Sequence, residues 1–341
     1  MRRLPVYFLV DVSESMVGES IQQVNEGMKS IVQELRTDPY ALETVYASVI
    51  AFAGKAQSVV PLTDICKFNV PNLFVGSGTS LGVALNFLMD DMDKKLVKNT
   101  EKEKGDWKPL VFLFTDGMPT DNPSSAFARW NKKYRNAANL IAISIGNNVD
   151  TGLLGQISDN VFRLNGTDQP SFKQFFKWVT ASVKATSLSV DSGLDDVKLA
   201  STSGINLEKV DGTESCAVDE RYVVLLGKCS NTKQTYLMKY EKGAPFMGEY
   251  GGEYGLTGVY IVDEEAYNRL SDGKSNKKIN TESLFGVAPC PCCGNPYGVV
   301  VCDCGNIMCS DGGTQECPWC GMEGSLGAIE NGGLDIRRGR G

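Results

Sequence analysis

The chain contains no histidine among its 341 residues. A Ser-His-Asp or Cys-His catalytic system therefore cannot form, and no metal site can depend on an imidazole ligand. General acid–base chemistry near neutral pH would require a shifted carboxylate, lysine or cysteine. Long apolar runs are also absent, and none approaches the roughly 18 residues of a membrane-spanning helix. We therefore expect no membrane segment.

Positive charge is in deficit, because 34 Lys and Arg face 41 Asp and Glu, for a formal net charge of −7. This balance argues against broad nucleic-acid binding, which depends on neutralising phosphates. At the start of the chain two arginines precede an apolar run, but Pro5 interrupts it and Asp11 ends it. No small-residue cleavage site follows, so a signal peptide is not expected. Together with cysteines in CxxC-type pairs, this favours the cytoplasm.

Strand-like and helix-like segments alternate in the first part of the chain. Apolar, β-branched runs predict strands at Val6–Val10, Thr44–Phe52, Leu110–Phe114 and Leu140–Ile145. Apolar residues at spacings of three and four predict helices at Ile21–Leu35, Leu81–Leu96 and Ser171–Val183. Fully apolar strands alternating with helices indicate an α/β fold with a doubly wound, mostly parallel sheet covered on both faces.

The composition changes near residue 187 and suggests four regions. We expect an α/β domain at 1–186, a linker with a small β-rich region at 187–285, a cysteine-rich, zinc-binding region at 286–325, and a flexible tail at 326–341. The glycine-rich stretch 242–258 is interpreted as a loop. The β-rich region contains three short strand-like runs, Tyr222–Leu226, Thr235–Tyr240 and Thr257–Asp263.

Oxygen-bearing side chains follow the predicted strands at three places. Asp11, Ser13 and Ser15 end the first strand, Thr79 lies in the SGTS segment ahead of a helix, and Asp116 lies in FTDG after another strand. Alternate residues of a loop point the same way, so these side chains can converge. Two carboxylates and three hydroxyls form a hard ligand set that suits Mg²⁺ or Mn²⁺, with a position open to a partner's carboxylate.

A simpler interpretation of these residues is local. Ser13 and Ser15 could cap the next helix, and Asp116 could belong to a turn. That interpretation does not explain the joint spacing. Asp121 is a candidate for the rim of the site, although capping of the helix after Pro123 is the preferred explanation.

The segments DVSES, SGTS and FTDG, in this order, resemble the metal-ion-dependent adhesion site of von Willebrand factor A domains. The resemblance covers roughly residues 1–186 and includes all five ligand positions. It implies a Rossmann-like fold and an ion that binds a partner protein.

Eight of the eleven cysteines lie between Cys290 and Cys320. Paired thiolates in CPxCG turns are typical of zinc, in one or two sites. Seven positions are candidate ligands, with Cys292 as an uncertain eighth: Cys290, Cys293, Cys302, Cys304, Cys309, Cys317 and Cys320.

The pairing of these cysteines stays open. One possibility is a single site made of Cys290, Cys293, Cys317 and Cys320. The other is two sites, with Cys302, Cys304, Cys317 and Cys320 on one ion and Cys290, Cys293, Cys309 and doubtfully Cys292 on the other. An iron–sulfur cluster is a further alternative. The three remaining thiols are interpreted as isolated and buried: Cys66, Cys216 and Cys229.

An A-type domain followed by this cysteine pattern is similar to the TerY-like proteins of bacterial tellurite-resistance systems. The resemblance covers nearly the whole chain, the glycine-rich middle being least diagnostic. It implies a cytoplasmic, non-enzymatic, metal-binding protein. It also implies partners, namely a protein kinase and a metal-dependent serine/threonine phosphatase of a stress response.

Two other functions are alternatives for this sequence. A metal-assisted phosphoesterase could use the same ion to activate water, but the chain has no imidazole base. Nucleic-acid binding by the zinc region would need cations for phosphate contacts, and residues 290–321 contain no Lys or Arg.

Overall fold

A seven-stranded sheet organises the first part of the chain in the computed structural model, which describes residues 2–100, 104–146, 149–166, 168–191, 198–211, 221–243, 253–273, 275, 277–325 and 333–339. The strand order is β3-β2-β1-β4-β5-β6-β7. The five central strands, β2, β1, β4, β5 and β6, run parallel to one another. The edge strands β3 and β7 are antiparallel to their neighbours. The strands are β1 Leu4–Asp11, β2 Val45–Phe52, β3 Ala56–Asp64, β4 Leu110–Thr115, β5 Asn139–Ile145, β6 Asn160–Leu164 and β7 Leu207–Val210.

Helices cover both faces of this first sheet. They are α1 Glu19–Arg36, α2 Pro39–Thr44, α3 Leu81–Lys95, α4 Ser124–Lys133, α5 Thr151–Gly155 and α6 Gln169–Asp191. Apolar residues of α1, α2 and α6 share one core with the sheet, and those of α3, α4 and α5 share the other. The predicted doubly wound α/β fold is confirmed.

Close packing of α1 on α6 depends on Gly27. A Cβ atom at this position would lie 2.0 Å from the Phe176 ring, so any larger residue would collide with it. On the sheet side, Phe114 meets Phe175 edge to face with ring centroids 5.5 Å apart. The aromatic residues that mark the last predicted helix therefore belong to the core.

A second sheet of six strands follows, in the order β12-β10-β9-β8-β14-β13. Its strands are β8 Tyr222–Lys228, β9 Thr235–Lys242, β10 Tyr254–Ile261, β12 Leu284–Phe285, β13 Tyr297–Val301 and β14 Ile307–Ser310. The smaller elements around it are α7 Glu264–Leu270, β11 Lys278–Asn280, β15 Gln315–Glu316, β16 Glu323–Gly324 and β17 Asp335–Arg337. Short 3₁₀ turns occupy Glu14–Met16 and Thr281–Ser283.

The predicted region boundaries differ from the structure at two points. The boundary at 186 falls inside α6, and β7 pairs with β6, so the first domain extends to residue 210. Regions 187–285 and 286–325 are not separate, because β14 pairs with β8 in one sheet. Both errors have the same cause: pairing between distant segments leaves no mark in local composition.

The expectation of a flexible tail is wrong for residues 333–339. Strand β17 pairs with β11, and Ile336 is fully buried in the core of the second domain. Of the glycine-rich stretch, 254–258 belongs to β10, while 244–252 lies outside the described residues. Within the described ranges, none of the helices combines the length and apolar character needed to cross a bilayer.

Candidate metal centres

The oxygen-bearing residues predicted from the sequence meet at the carboxyl ends of β1 and β4. These strands lie side by side, and β1 is also where the strand order reverses. In doubly wound sheets such a reversal opens a crevice, which is the usual ligand position. Asp11 ends β1, and Asp116 directly follows β4. We call Asp11, Ser13, Ser15, Thr79 and Asp116 the oxygen cluster.

Hydrogen bonds hold the oxygen cluster together. The Ser13 backbone N–H donates to Asp11 Oδ1 at 2.9 Å, and Thr115 Oγ1 donates to Asp11 Oδ2 at 2.6 Å. Ser15 Oγ lies 2.9 Å from Asp116 Oδ1 and 3.0 Å from Ser13 Oγ. All of these side chains are buried, so their orientation is fixed before any ligand arrives.

The surroundings of the Thr79 hydroxyl indicate whether a cation fits this site. Its hydroxyl is buried and has no hydrogen-bond partner among the described residues. The loop is held in place because Thr79 N donates to Thr120 Oγ1 at 2.9 Å and Thr120 N donates to Thr79 O at 2.9 Å. A buried hydroxyl without a partner is costly, and a hard cation would supply one. The donor set therefore fits Mg²⁺ or Mn²⁺.

The surroundings of Asp11 disfavour the charged form of its carboxyl group. Burial first, and then the nearby Asp116 carboxylate, raise the pKa of Asp11 to about 7. Both causes penalise the charged form, and a divalent cation would favour it.

Asp121 has a different role from the two that the sequence suggested. Its carboxylate accepts hydrogen bonds from Gly82 N at 3.3 Å and Val83 N at 3.1 Å. It therefore caps α3, the helix that follows Thr79, and not α4. The cap holds the SGTS segment beside the loop after β4.

Four sulfurs converge beside the second sheet, from Cys229, Cys290, Cys293 and Cys309. We call these residues the first cysteine cluster. Cys309 Sγ lies 3.7 Å from Cys293 Sγ and 3.8 Å from Cys229 Sγ. Zn–S bonds of about 2.3 Å place the sulfurs of a tetrahedral site about 3.8 Å apart. The spacing therefore fits a four-coordinate zinc ion.

The second cysteine cluster contains Cys302, Cys304, Cys317 and Cys320. Cys302 Sγ lies 3.7 Å from Cys320 Sγ, and Cys304 Sγ lies 3.9 Å from Cys317 Sγ. This grouping agrees with one set of the two-site alternative. The single-site alternative is wrong, because Cys290 and Cys293 lie in the other cluster.

One thiol in each cluster has a lowered pKa. Burial raises the pKa of Cys229, but hydrogen bonds from Thr232 and other donors outweigh burial and lower it to about 6. Burial likewise opposes the Asn306 backbone and side-chain N–H groups, which help to lower the pKa of Cys304 to about 7. Metal binding requires thiolates, and the surroundings of Cys229 and Cys304 favour them. Burial instead raises the pKa of Cys290, Cys293 and Cys302 to about 12, so in these three positions the metal itself would have to favour the thiolate.

Cys229 belongs to a cluster although the spacing of the cysteines did not predict it. Cys229 directly follows β8, at the start of the turn that leads to β9. It lies 61 residues before Cys290, and at that distance spacing carries no signal. The count of candidate ligands did indicate that one was lacking, because seven cysteines cannot fill two sites of four. Cys292 lies outside both clusters, with its Sγ near Gln234 O at 3.9 Å. Cys66 is exposed and not buried, and Cys216 lies outside the described residues.

Comparison with family models now identifies both parts of the chain. Residues 6–178 match the von Willebrand factor type A domain. The chain belongs to the von Willebrand factor type A family. Residues 219–341 match the TerY-C metal binding domain, so the two cysteine clusters lie in a domain whose family binds metal. The chain therefore combines a von Willebrand A domain with a TerY-C domain.

Solved structures with similarity to the chain include other von Willebrand A proteins. A von Willebrand factor type A protein from Catenulispora acidiphila is 14% identical over 79% of this chain and 69% of its own, with a TM-score of 0.41. Proximal thread matrix protein 1 from the mussel byssus is 18% identical over 53% of this chain and 48% of its own, with a TM-score of 0.40. The ArnB paralog VWA2 from Sulfolobus acidocaldarius is 14% identical over 53% and 45%, with a TM-score of 0.39. This chain spans about half the length of the last two.

The TerY-C domain contacts the loop that carries the serines of the oxygen cluster. Lys239 of β9 donates from Nζ to the backbone carbonyl of Ser15 and, at 3.5 Å, to that of Val17. Burial lowers the pKa of Lys239, and the negative charge of Asp116 opposes that shift. The TerY-C domain thus places a cation beside the oxygen cluster of the von Willebrand A domain.

Proposed function

We propose that this protein is a non-enzymatic, metal-dependent protein-interaction component. Its von Willebrand A domain would hold Mg²⁺ or Mn²⁺ with Asp11, Ser13, Ser15, Thr79 and Asp116. Neutral hydroxyls donate little charge, so the bound ion would stay electrophilic toward a carboxylate of a partner protein. The observation that carries this proposal is the buried Thr79 hydroxyl, which has no partner in the described structure. Its Oγ1 and Ser15 Oγ each lie 3.9 Å from the position that a Cβ atom on Gly117 would take, so the two hydroxyls are neighbours.

The two cysteine clusters would each hold one Zn²⁺ as a closed structural site. Four thiolates leave no open position for substrate, so these ions would stabilise the fold. The first cysteine cluster joins the β8–β9 hairpin to β14, and the second joins the segments around Cys302 and Cys317. Metal binding would therefore supply folding energy to a domain with a small core.

The TerY-C match supports a finer proposal about biological context. The protein would act in the cytoplasm of a bacterium, in a tellurite-resistance or related stress response. Its partners would be a protein kinase and a metal-dependent serine/threonine phosphatase, and an acidic residue of one of them would complete the ion's coordination.

The test is a binding measurement with the purified kinase and phosphatase of the source organism. Zinc-loaded protein is dialysed free of Mg²⁺ and titrated with each partner by calorimetry, with and without added Mg²⁺. We expect Mg²⁺-dependent binding that Asp116→Ala abolishes while the circular dichroism spectrum is retained.

The matched control is Asp159→Ala, since that carboxylate is 82% exposed and pairs only with Arg135 in the ion pairs of the described chain. It should bind like the unaltered protein. Binding that needs no divalent ion, or that survives Asp116→Ala, would contradict the proposal.

A further inference from the structure

A cavity of about 450 Å³ lies between the von Willebrand A domain and the TerY-C domain. Glu14, Lys55 and Ser77 of the first domain contribute to its wall, together with residues of α7, the second cysteine cluster region and β17. The ligands of the oxygen cluster are not part of this wall. The volume falls within the range of small-molecule sites, which commonly lie at domain interfaces.

Thr235 contributes a polar group to the cavity that the fold does not use. Its side chain lines the cavity and is 2% exposed. Its Oγ1 has no hydrogen-bond partner among the described residues. Buried hydroxyls are nearly always paired. Thr235 Oγ1 has almost no accessible surface, so it pairs with a ligand in the cavity only when the side chain turns about χ1 toward the cavity.

The cations of the wall are also unpaired. Within the described part of the chain, the side chains of Lys55, Arg337 and Arg338 take part in no hydrogen bond or ion pair. Lys55 follows β2, and the two arginines lie at the end of β17 and directly after it. Two parts of the chain just over 280 residues apart therefore bring three unpaired cations to one cavity. Lys55 and Arg337 are exposed to solvent there, and Arg338 is half-buried.

The acidic residues of the same wall are all engaged. Glu14 accepts hydrogen bonds from Tyr267 and Ser77, and Glu264 pairs with Lys228 at 3.1 Å. Asp272 also has a partner. Glu264 is thus paired with a cation, and Glu14 and Asp272 add two further negative charges. With Lys228 counted, four cations lie at the described part of the cavity against three carboxylates, and the one net positive charge favours an anion. Arginine forks in particular match the geometry of phosphate oxygens.

The rest of the cavity wall suits a ligand that is larger than phosphate and carries a ring. The Trp319 indole is half-buried in the wall and fixed by a 2.7 Å hydrogen bond from Nε1 to Ile307 O. Leu226 and Ile307 add apolar surface. A phosphate alone would leave most of this space and this apolar surface unused.

From these features we propose that the interdomain cavity binds a small phosphorylated metabolite with a planar ring, in the size class of a nucleoside diphosphate. Arg337, Arg338 and Lys55 bind the phosphates, Thr235 donates to a polar atom of the ligand, and Trp319 packs against its body. The ligand bridges the two domains, so its binding also stabilises their contact.

The experiment titrates the full zinc-loaded protein, free of Mg²⁺, with ADP and separately with inorganic phosphate by calorimetry. We expect saturable binding of one ADP per chain and weaker binding of phosphate. The double variant Arg337→Gln/Arg338→Gln should weaken ADP binding by about tenfold or more, because two charge-assisted contacts are lost. Arg269→Gln is the matched control, since Arg269 lies on α7 outside the cavity wall and should behave like the unaltered protein.

Thr235→Val provides a readout that impaired folding cannot imitate. Without ligand, this variant should melt at or above the temperature of the unaltered protein, because a buried hydroxyl with no partner has been removed. It should nevertheless bind ADP more weakly. Asp116→Ala should retain ADP binding, which separates this cavity from the oxygen cluster.

Three outcomes would overturn the proposal. These are the lack of saturable ADP binding, equal ADP affinity in the double arginine variant, and loss of ADP binding in Asp116→Ala.

Discussion

Tyr267 of the TerY-C domain donates a hydrogen bond from its phenol to the buried carboxylate of Glu14. Glu14 lies between Ser13 and Ser15, the two serines of the oxygen cluster. Ser77 Oγ lies 3.2 Å from the second oxygen of the same carboxylate. The loop that would hold the ion is thus anchored by a residue of the other domain.

Replacing Tyr267 with Phe tests this anchor. The variant keeps the ring and removes only the donor to a buried carboxylate, so we expect the free energy of unfolding to fall by about 1–3 kcal/mol. Urea denaturation followed by circular dichroism measures the change. Tyr40→Phe is the control, because Tyr40 is 46% exposed and the same atom is removed at the surface. Equal stability of the two variants would show that the phenol does not anchor the loop.

Zinc content distinguishes Cys229 from Cys292. Both are near the first cysteine cluster, but only Cys229 contributes a sulfur to it. We expect two zinc ions per unaltered chain and one in Cys229→Ser, because three thiolates do not close a tetrahedral structural site. Native mass spectrometry measures the stoichiometry. Cys292→Ser should retain both ions, and the reverse pattern in the two variants would reject the observed grouping.

The fold and the oxygen cluster were predictable because their signals are local. A buried parallel strand must be apolar throughout, and it ends where polar residues such as Asp11 or Asp116 begin. Chain order then places these residues at one edge of the sheet. β3 and β6 were missed because neither is fully buried, so their patterns are mixed.

The features that could not be predicted from the sequence depend on contacts between distant segments. Cys229 joins residues 61 to 80 positions away, and β17 pairs with a strand more than 50 residues earlier. The contacts of Tyr267 and Lys239 with the serine loop span more than 220 residues. A single sequence shows composition and spacing, and neither reports which distant surfaces meet.

Thr79→Val tests the cation site with little change in shape. The hydroxyl has no hydrogen-bond partner within the described structure, so its removal should leave the Mg²⁺-free protein as stable as before or slightly more stable. The affinity for Mg²⁺ should fall by at least about tenfold, which corresponds to about 1.4 kcal/mol. Calorimetric titration with Mg²⁺ measures it. Thr63→Val in β3 is the control, since within the described ranges its hydroxyl bonds only to Pro61 O, at 2.6 Å. Undiminished affinity in Thr79→Val would exclude Thr79 as a ligand.

Ile336 tests whether the end of the chain is structural. It is fully buried in the core of the TerY-C domain and pairs in register with Ile279 of β11. Ile336→Ala removes buried methyl groups and leaves a cavity, so we expect a loss of about 2–5 kcal/mol in the free energy of unfolding. Leu334→Ala, two residues earlier and 37% exposed, should cost far less. Thermal and urea unfolding of the zinc-loaded variants make the comparison. Since β17 also carries Arg337 to the interdomain cavity, Ile336→Ala should weaken ADP binding as well, whereas Leu334→Ala should not. A flexible tail would instead leave both variants like the unaltered protein.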